Sequence, residues 1–143
     1  MEKHSDILRQ EDDYLREFSD QRAEQEHNET IIYRKLQIDD YDKGYFEVLS
    51  NLTETGDVTK EQFETRFNEI DPNKSDTYKI VVGVDVENDK IVANGTLVIE
   101  KKFIRNCSKC GHIEDIVVHK DYGKRGIGGD IMETLKQIAK INH

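Results

Sequence analysis

The sequence has no tryptophan, one proline and only two cysteines in 143 residues. Two cysteines, Cys107 and Cys110, cannot staple a small secreted scaffold, and a structural zinc site needs four ligands where one Cys pair and a nearby His112 supply three. The expectation is a reduced loop pair and no metal. There is no apolar run near the ~20 residues that cross a bilayer. The opening Met1-Glu2-Lys3-His4-Ser5-Asp6 also lacks the apolar stretch of a signal peptide. A cytoplasmic chain without a membrane span is expected. Basic residues are outnumbered, 21 against 30 acids, for a net charge of −9. That balance argues against nucleic acid, whose binding rests on phosphate neutralisation.

The acid excess is uneven. Residues 1–29 hold ten of the 30 acids and four of the 21 bases, so six of the nine surplus negative charges sit there. With Ile7, Leu8, Tyr14, Leu15 and Phe18 as the main apolar positions, this stretch reads as an acidic tail, disordered or loosely helical. Residues 30–143 read as one domain, large enough to bury a core. Their near-balanced charge leaves room for a local cationic pocket.

What the chain does have is a β-branched strand, Ile113-Glu114-Asp115-Ile116-Val117-Val118, emptying into Gly123-Lys124-Arg125-Gly126-Ile127-Gly128-Gly129 and then a helix. Ile127, Ile131, Leu135 and Ile138 make one apolar stripe at helical spacing. Each glycine at the helix start costs up to ~1 kcal/mol relative to alanine. Unpaired N–H groups at such a start hold anions, so the loop reads as a phosphate site. A left-handed glycine turn without a ligand is the alternative.

Upstream, Ile31–Leu36 alternates as a first strand, Asp39 or Asp40 caps a helix carrying Tyr45 to Leu49, and Thr59-Lys60-Glu61-Gln62 is a capping box for a second helix. After Pro72, Tyr78–Val86 and Ile91–Ile99 read as an antiparallel hairpin whose second strand continues to Arg105. His112 and His119 read as surface residues. Glu114 and Asp115, adjacent in an apolar strand, are expected to project to opposite faces, and one of them then needs a cationic partner.

Gly123-Lys124-Arg125-Gly126-Ile127-Gly128 resembles the pyrophosphate loop of the GCN5-related N-acetyltransferase (GNAT) superfamily. The strings Gly111–Val118 and Leu52–Val58 resemble its glucosamine 6-phosphate N-acetyltransferase branch, over residues 33–141. The resemblance implies an α/β fold with a mixed, mostly antiparallel sheet and flanking helices. It implies acetyl transfer from acetyl-CoA, as co-substrate, to glucosamine 6-phosphate on the way to UDP-N-acetylglucosamine, with a homodimer as the expected assembly. Carried over position by position, it places Thr53, Lys102, Phe103, Ile104, Arg105, Glu114, Asp115 and Ile116 at the sugar phosphate. It places the backbone of Ile116, Val117 and Val118, with Lys124, Arg125, Gly126, Ile127, Gly128 and Gly129, at the coenzyme.

Two departures stand beside it. Gly123 occupies the position of the family's Arg or Gln, with Arg125 two places on. The family's later strands and helix, and the tyrosine that protonates the thiolate, have no counterpart before His143. No catalytic acid is therefore assigned. A shortened paralogue that binds coenzyme A or a partner, and a non-enzymatic interaction module, are the alternative readings.

Overall fold

Valine and isoleucine crowd residues 80–99, and the strands they build are buried on both faces, so the sheet needs a helical layer on each side. The computed structural model describes residues 3–24 and 30–143. In order these are α1 (His4–Ala23), β1 (Ile31–Lys35), a 3-10 turn (Ile38–Lys43), α2 (Tyr45–Leu49) and α3 (Lys60–Ile70). Then come β2 (Tyr78–Asp85), β3 (Lys90–Lys101), the single turn α4 (Ile104–Cys107), β4 (Lys109–Val118), a second 3-10 turn (Lys120–Tyr122) and α5 (Ile127–Ile141). The strands run β1-β2-β3-β4 in one α/β sheet. Every pairing is antiparallel, so the parallel part of a mixed sheet is not found among the described residues.

On one face α1 and α5 bury Leu15, Phe18, Tyr33, Leu97, Ile127, Ile131, Leu135 and Ile138. On the other, α2 and α3 bury Tyr45, Val48 and Phe63 against Ile80, Val82, Val84, Ile91 and Val117. Local signals account for several boundaries. Thr59 accepts from the Gln62 N–H while the Gln62 side chain accepts from Thr59 N–H, the reciprocal cap expected of that string. Gly44, at φ +85°, divides the expected single helix into the 3-10 turn and α2.

Gly95 lets α5 lie close on the sheet. A Cβ there would come within 2.4 Å of Ile131 Cγ2 and 2.9 Å of Leu135 Cδ1. We expect Gly95→Ala to destabilise the chain by about 1–3 kcal/mol through overpacking, read as a lower urea midpoint.

Three expectations are corrected. Residues 4–23 are not a disordered or loosely held tail but a helix with Leu15 and Phe18 in the core; residues 1, 2 and 25–29 of that stretch lie outside the described residues. The helix face looked too polar because Glu11 and Ser19 are buried with partners. Glu11 meets Lys35 Nζ at 2.9 Å and Lys79 Nζ at 3.0 Å, and accepts from Asn142 Nδ2 at 2.6 Å. Ser19 Oγ accepts from Tyr33 N–H and donates to Leu15 C=O, each at 2.8 Å. Second, β3 stops at Lys101 and does not continue to Arg105, because the chain reverses there to pair Lys109 with Lys101. Third, His119 is 2% exposed and not a surface residue. Its Nδ1 accepts from Asp121 N–H at 3.1 Å, and its Nε2 lies 3.6 Å from Glu47.

Candidate functional site

β4 is the last strand of the sheet, so its outer edge has no strand neighbour among the described residues. The edge is irregular where the carboxylates lie. Thr96 pairs with Glu114 and Asn94 with Val117, so Asp115 and Ile116 together stand opposite Gly95. This is a β-bulge. Asp115 has φ +52°, a left-handed conformation, and its C=O accepts from Asn94 Nδ2 at 3.1 Å. The bulge breaks the expected alternation, and Glu114 and Asp115 are both exposed. Beyond it, Val117 packs towards α2 while Ile116 and Val118 pack towards α5.

Past Val118, residues 120–122 turn the chain into the glycine loop. Lys124 has φ +63° and Gly126, the residue before α5, φ +78°. No side chain caps the helix, so its first N–H groups face outward at the positive end of the helix dipole. A Cβ at Gly126 or Gly129 would meet nothing within 4 Å, and one at Gly128 only Val118 Cγ2 at 3.5 Å. Nothing in the fold itself demands glycine at 129. Gly129→Ala should accordingly stabilise the chain by about 0.5–1 kcal/mol, seen as a raised melting temperature. The Ile127 side chain is buried in the core, so this residue offers an anion only its backbone. Arg125 stacks on Tyr122, its guanidinium carbon 4.9 Å from the ring centroid.

Tyr122 donates its hydroxyl to Asp85 at 2.7 Å. That bond, with burial adding to it, raises the phenol above its ordinary range. One turn into α5, Asp130 accepts from the Tyr33 hydroxyl at 2.8 Å and lies 3.0 Å from Arg22 Nε. Its charge is thus opposed by Arg22 on α1 and hydrogen-bonded by Tyr33 on β1.

The bulge and the glycine loop are brought together by the short link between β4 and α5. The 50–57 segment joins them through Asn51 Oδ1, which accepts from the Lys120 N–H at 3.1 Å. Thr53 is exposed in that segment. Lys102, Phe103, Ile104 and Arg105 stand apart, at the far end of the β3–β4 hairpin. Lys101 is five residues from Thr96, the partner of Glu114, or roughly 17 Å of strand. There Phe103 is 93% exposed, and Arg105, Asn106 and Cys107 all take left-handed φ values. Cys107 and Cys110 are free thiols. Among the described residues no group of three or more His, Cys, Asp or Glu is arranged to hold a metal, and no helix is long and apolar enough to cross a membrane.

Sequence reasoning missed Asn94 and Tyr45, whose hydrogen bond lies beneath the bulge. The available signal was an asparagine interrupting the apolar run of β3 next to Gly95.

Residues 45–142 match the model of the Acetyltransferase (GNAT) family. The chain is 57% identical over 109 residues to glucosamine 6-phosphate N-acetyltransferase 1 of Dictyostelium discoideum, covering 76% of this chain and 68% of that protein. It is 45% identical over 112 residues to glucosamine 6-phosphate N-acetyltransferase of Arabidopsis thaliana, covering 78% and 74%. The crystal structure of the Arabidopsis thaliana enzyme superposes with a TM-score of 0.74 at 44% identity, over 78% of this chain and 75% of that one. With the matched region running from α2 to Asn142 through both the bulge and the loop, the chain belongs to the GNAT acetyltransferase family.

Proposed function

We propose that this chain is an N-acetyltransferase that moves acetyl from acetyl-CoA to the amine of glucosamine 6-phosphate, giving N-acetylglucosamine 6-phosphate. The observation that carries the reading is the bulged, open edge of β4 leading directly into an uncapped glycine-rich helix start. In support of the sugar, relatives at 57% and 45% identity bear that substrate in their names.

The backbone N–H groups of residues 124–129 hold the pyrophosphate, and the main chain of Ile116 to Val118 lies along the rest of the coenzyme. Glu114 and Asp115, exposed at the same edge, attract the sugar's ammonium and take its proton directly or through water. The amine lone pair then forms the C–N bond at the thioester carbon while a main-chain N–H of the edge stabilises the oxygen. The C–S bond breaks and the thiolate departs. Tyr122 is already bonded to Asp85 and is not assigned as the acid for that thiolate. Thr53 contacts the sugar phosphate. Lys102 to Arg105, standing apart within one chain, contribute to this site through a homodimer. A cytoplasmic location belongs to the same reading.

Transfer of labelled acetyl to glucosamine 6-phosphate tests it, with glucosamine as the control for the phosphate. Turnover on the phosphorylated sugar is the expected result. Coenzyme A binding in calorimetry without transfer would favour the non-catalytic paralogue, and absence of both would favour an interaction module.

A further inference from the structure

The bulge has no local cause in its own strand. Ile113–Val118 is rich in β-branched residues suited to plain extended backbone, and aspartate at φ +52° is disfavoured without something to hold it. In a plain register the residues after Glu114 would turn to the opposite faces. The holding groups come from the neighbouring strand β3 and from α2. Asn94 Nδ2 donates to the Asp115 carbonyl at 3.1 Å, and Asn94 Oδ1 accepts from the Tyr45 hydroxyl at 2.8 Å. Asn94 is 1% exposed and Tyr45 7%, so the asparagine amide is fixed in one orientation with both ends engaged. Gly95 leaves the space the bulge needs, since a Cβ there would approach Ile116 Cδ1 to 2.8 Å.

The consequence follows from the planar trans peptide. The carbonyl of Asp115 and the N–H of Ile116 belong to one peptide unit and point in opposite directions. Asn94 lies on β3, so drawing that carbonyl inward directs the Ile116 N–H away from β3, to the open edge of β4. We propose that Asn94 and Tyr45 are positioning residues for acyl transfer, holding the Asp115–Ile116 peptide so that its N–H faces the thioester oxygen. This deepens the acetyltransferase reading above and rests on it. An N–H preorganised for the developing oxyanion acts on the rate more than on ground-state binding.

The test is steady-state kinetics of the full chain and of Asn94→Leu and Tyr45→Phe, with the backbone amide spectrum of each. Asn94→Leu removes the donor at similar volume and should lower kcat at least tenfold, leaving KM for acetyl-CoA within about threefold. Tyr45→Phe frees the asparagine to turn, and its loss should be smaller but of the same kind. The Ile116 amide resonance should move in both variants while those of β1 stay in place, which distinguishes positioning from general loosening. If Asn94→Leu does not fold, Tyr45→Phe alone decides. An active wild type with kcat unchanged in the folded variants overturns the proposal by itself. A wild type with no turnover overturns the acetyltransferase reading and the proposal with it.

Discussion

Glu11→Gln should lower stability by about 3–5 kcal/mol at neutral pH, the scale seen when one partner of a buried ion pair is removed. The carboxylate is wholly buried between Lys35 and Lys79, themselves 6% and 1% exposed. Glutamine keeps the size and loses the charge, leaving two ammonium groups in the core opposed only by the more distant pull of Asp76 on Lys79 and by the exposed Asp12, 3.3 Å from Lys35, among the described residues. Burial pushes Lys79 below its ordinary range, with Glu11 the main opposing influence. Between that lowered value and its unfolded value near 10.5, the unfolded chain holds more protons than the folded one. Stability on this account therefore rises with pH across that window. Without Glu11 the folded value drops further and the window opens downward. The variant should recover part of its loss as pH rises from neutral towards 10.5, the unfolded lysine value. Urea unfolding at several pH values measures both effects. An unchanged midpoint at neutral pH would mean that the two lysines do not depend on Glu11.

Gly128→Val should weaken coenzyme A binding by at least tenfold in calorimetry while the chain stays folded. The added methyls lie over the uncapped N–H groups of α5, where the pyrophosphate has to approach. A Cβ at this position makes only an ordinary contact, with Val118 Cγ2 at 3.5 Å, and an unchanged urea midpoint for the variant separates lost binding from lost structure. Arg125→Ala should cost less, because the backbone carries most of the anion's contacts and the guanidinium rests on Tyr122. A larger loss at Arg125 than at Gly128 would show that this side chain has taken over from the cation absent at position 123. Equal affinity of wild type and Gly128→Val would count against the loop as the coenzyme site.

The parts of this fold that were legible from sequence are those whose cause is local. The stripe of Ile127, Ile131, Leu135 and Ile138 specifies α5, and the Thr59 and Gln62 cap specifies the start of α3. The β2–β3 hairpin follows from two apolar, β-branched runs joined by a polar turn. What was hidden depends on partners distant in the chain. Glu11 in a charged helix looks like a solvent-facing residue until Lys35 and Lys79 are placed around it. His119 looks like the polar end of a strand until Glu47, on α2, is placed 3.6 Å from its Nε2. Asp115 illustrates the same point at the site. Period-two reasoning placed the carboxylates on opposite faces, whereas Asn94, 21 residues away, supports a left-handed residue that the period does not contain.

The bond between Glu11 and Asn142 joins positions 131 residues apart. α1 precedes these partners in the chain, yet its buried carboxylate has its full set of them only once β1, β2 and Asn142, just past α5, are in place. Closing so long a loop is entropically late, since the contact rewards the chain only after most of its intervening length is ordered. α1 can therefore dock early on β1, where Ser19 bonds Tyr33 14 residues away, while its Glu11 end is completed late, and until then the apolar face of α5 around Ile138 stays without its full cover. Refolding should show a slow phase carried by the Glu11 end of α1, seen as late protection there relative to the Ser19–Tyr33 contact.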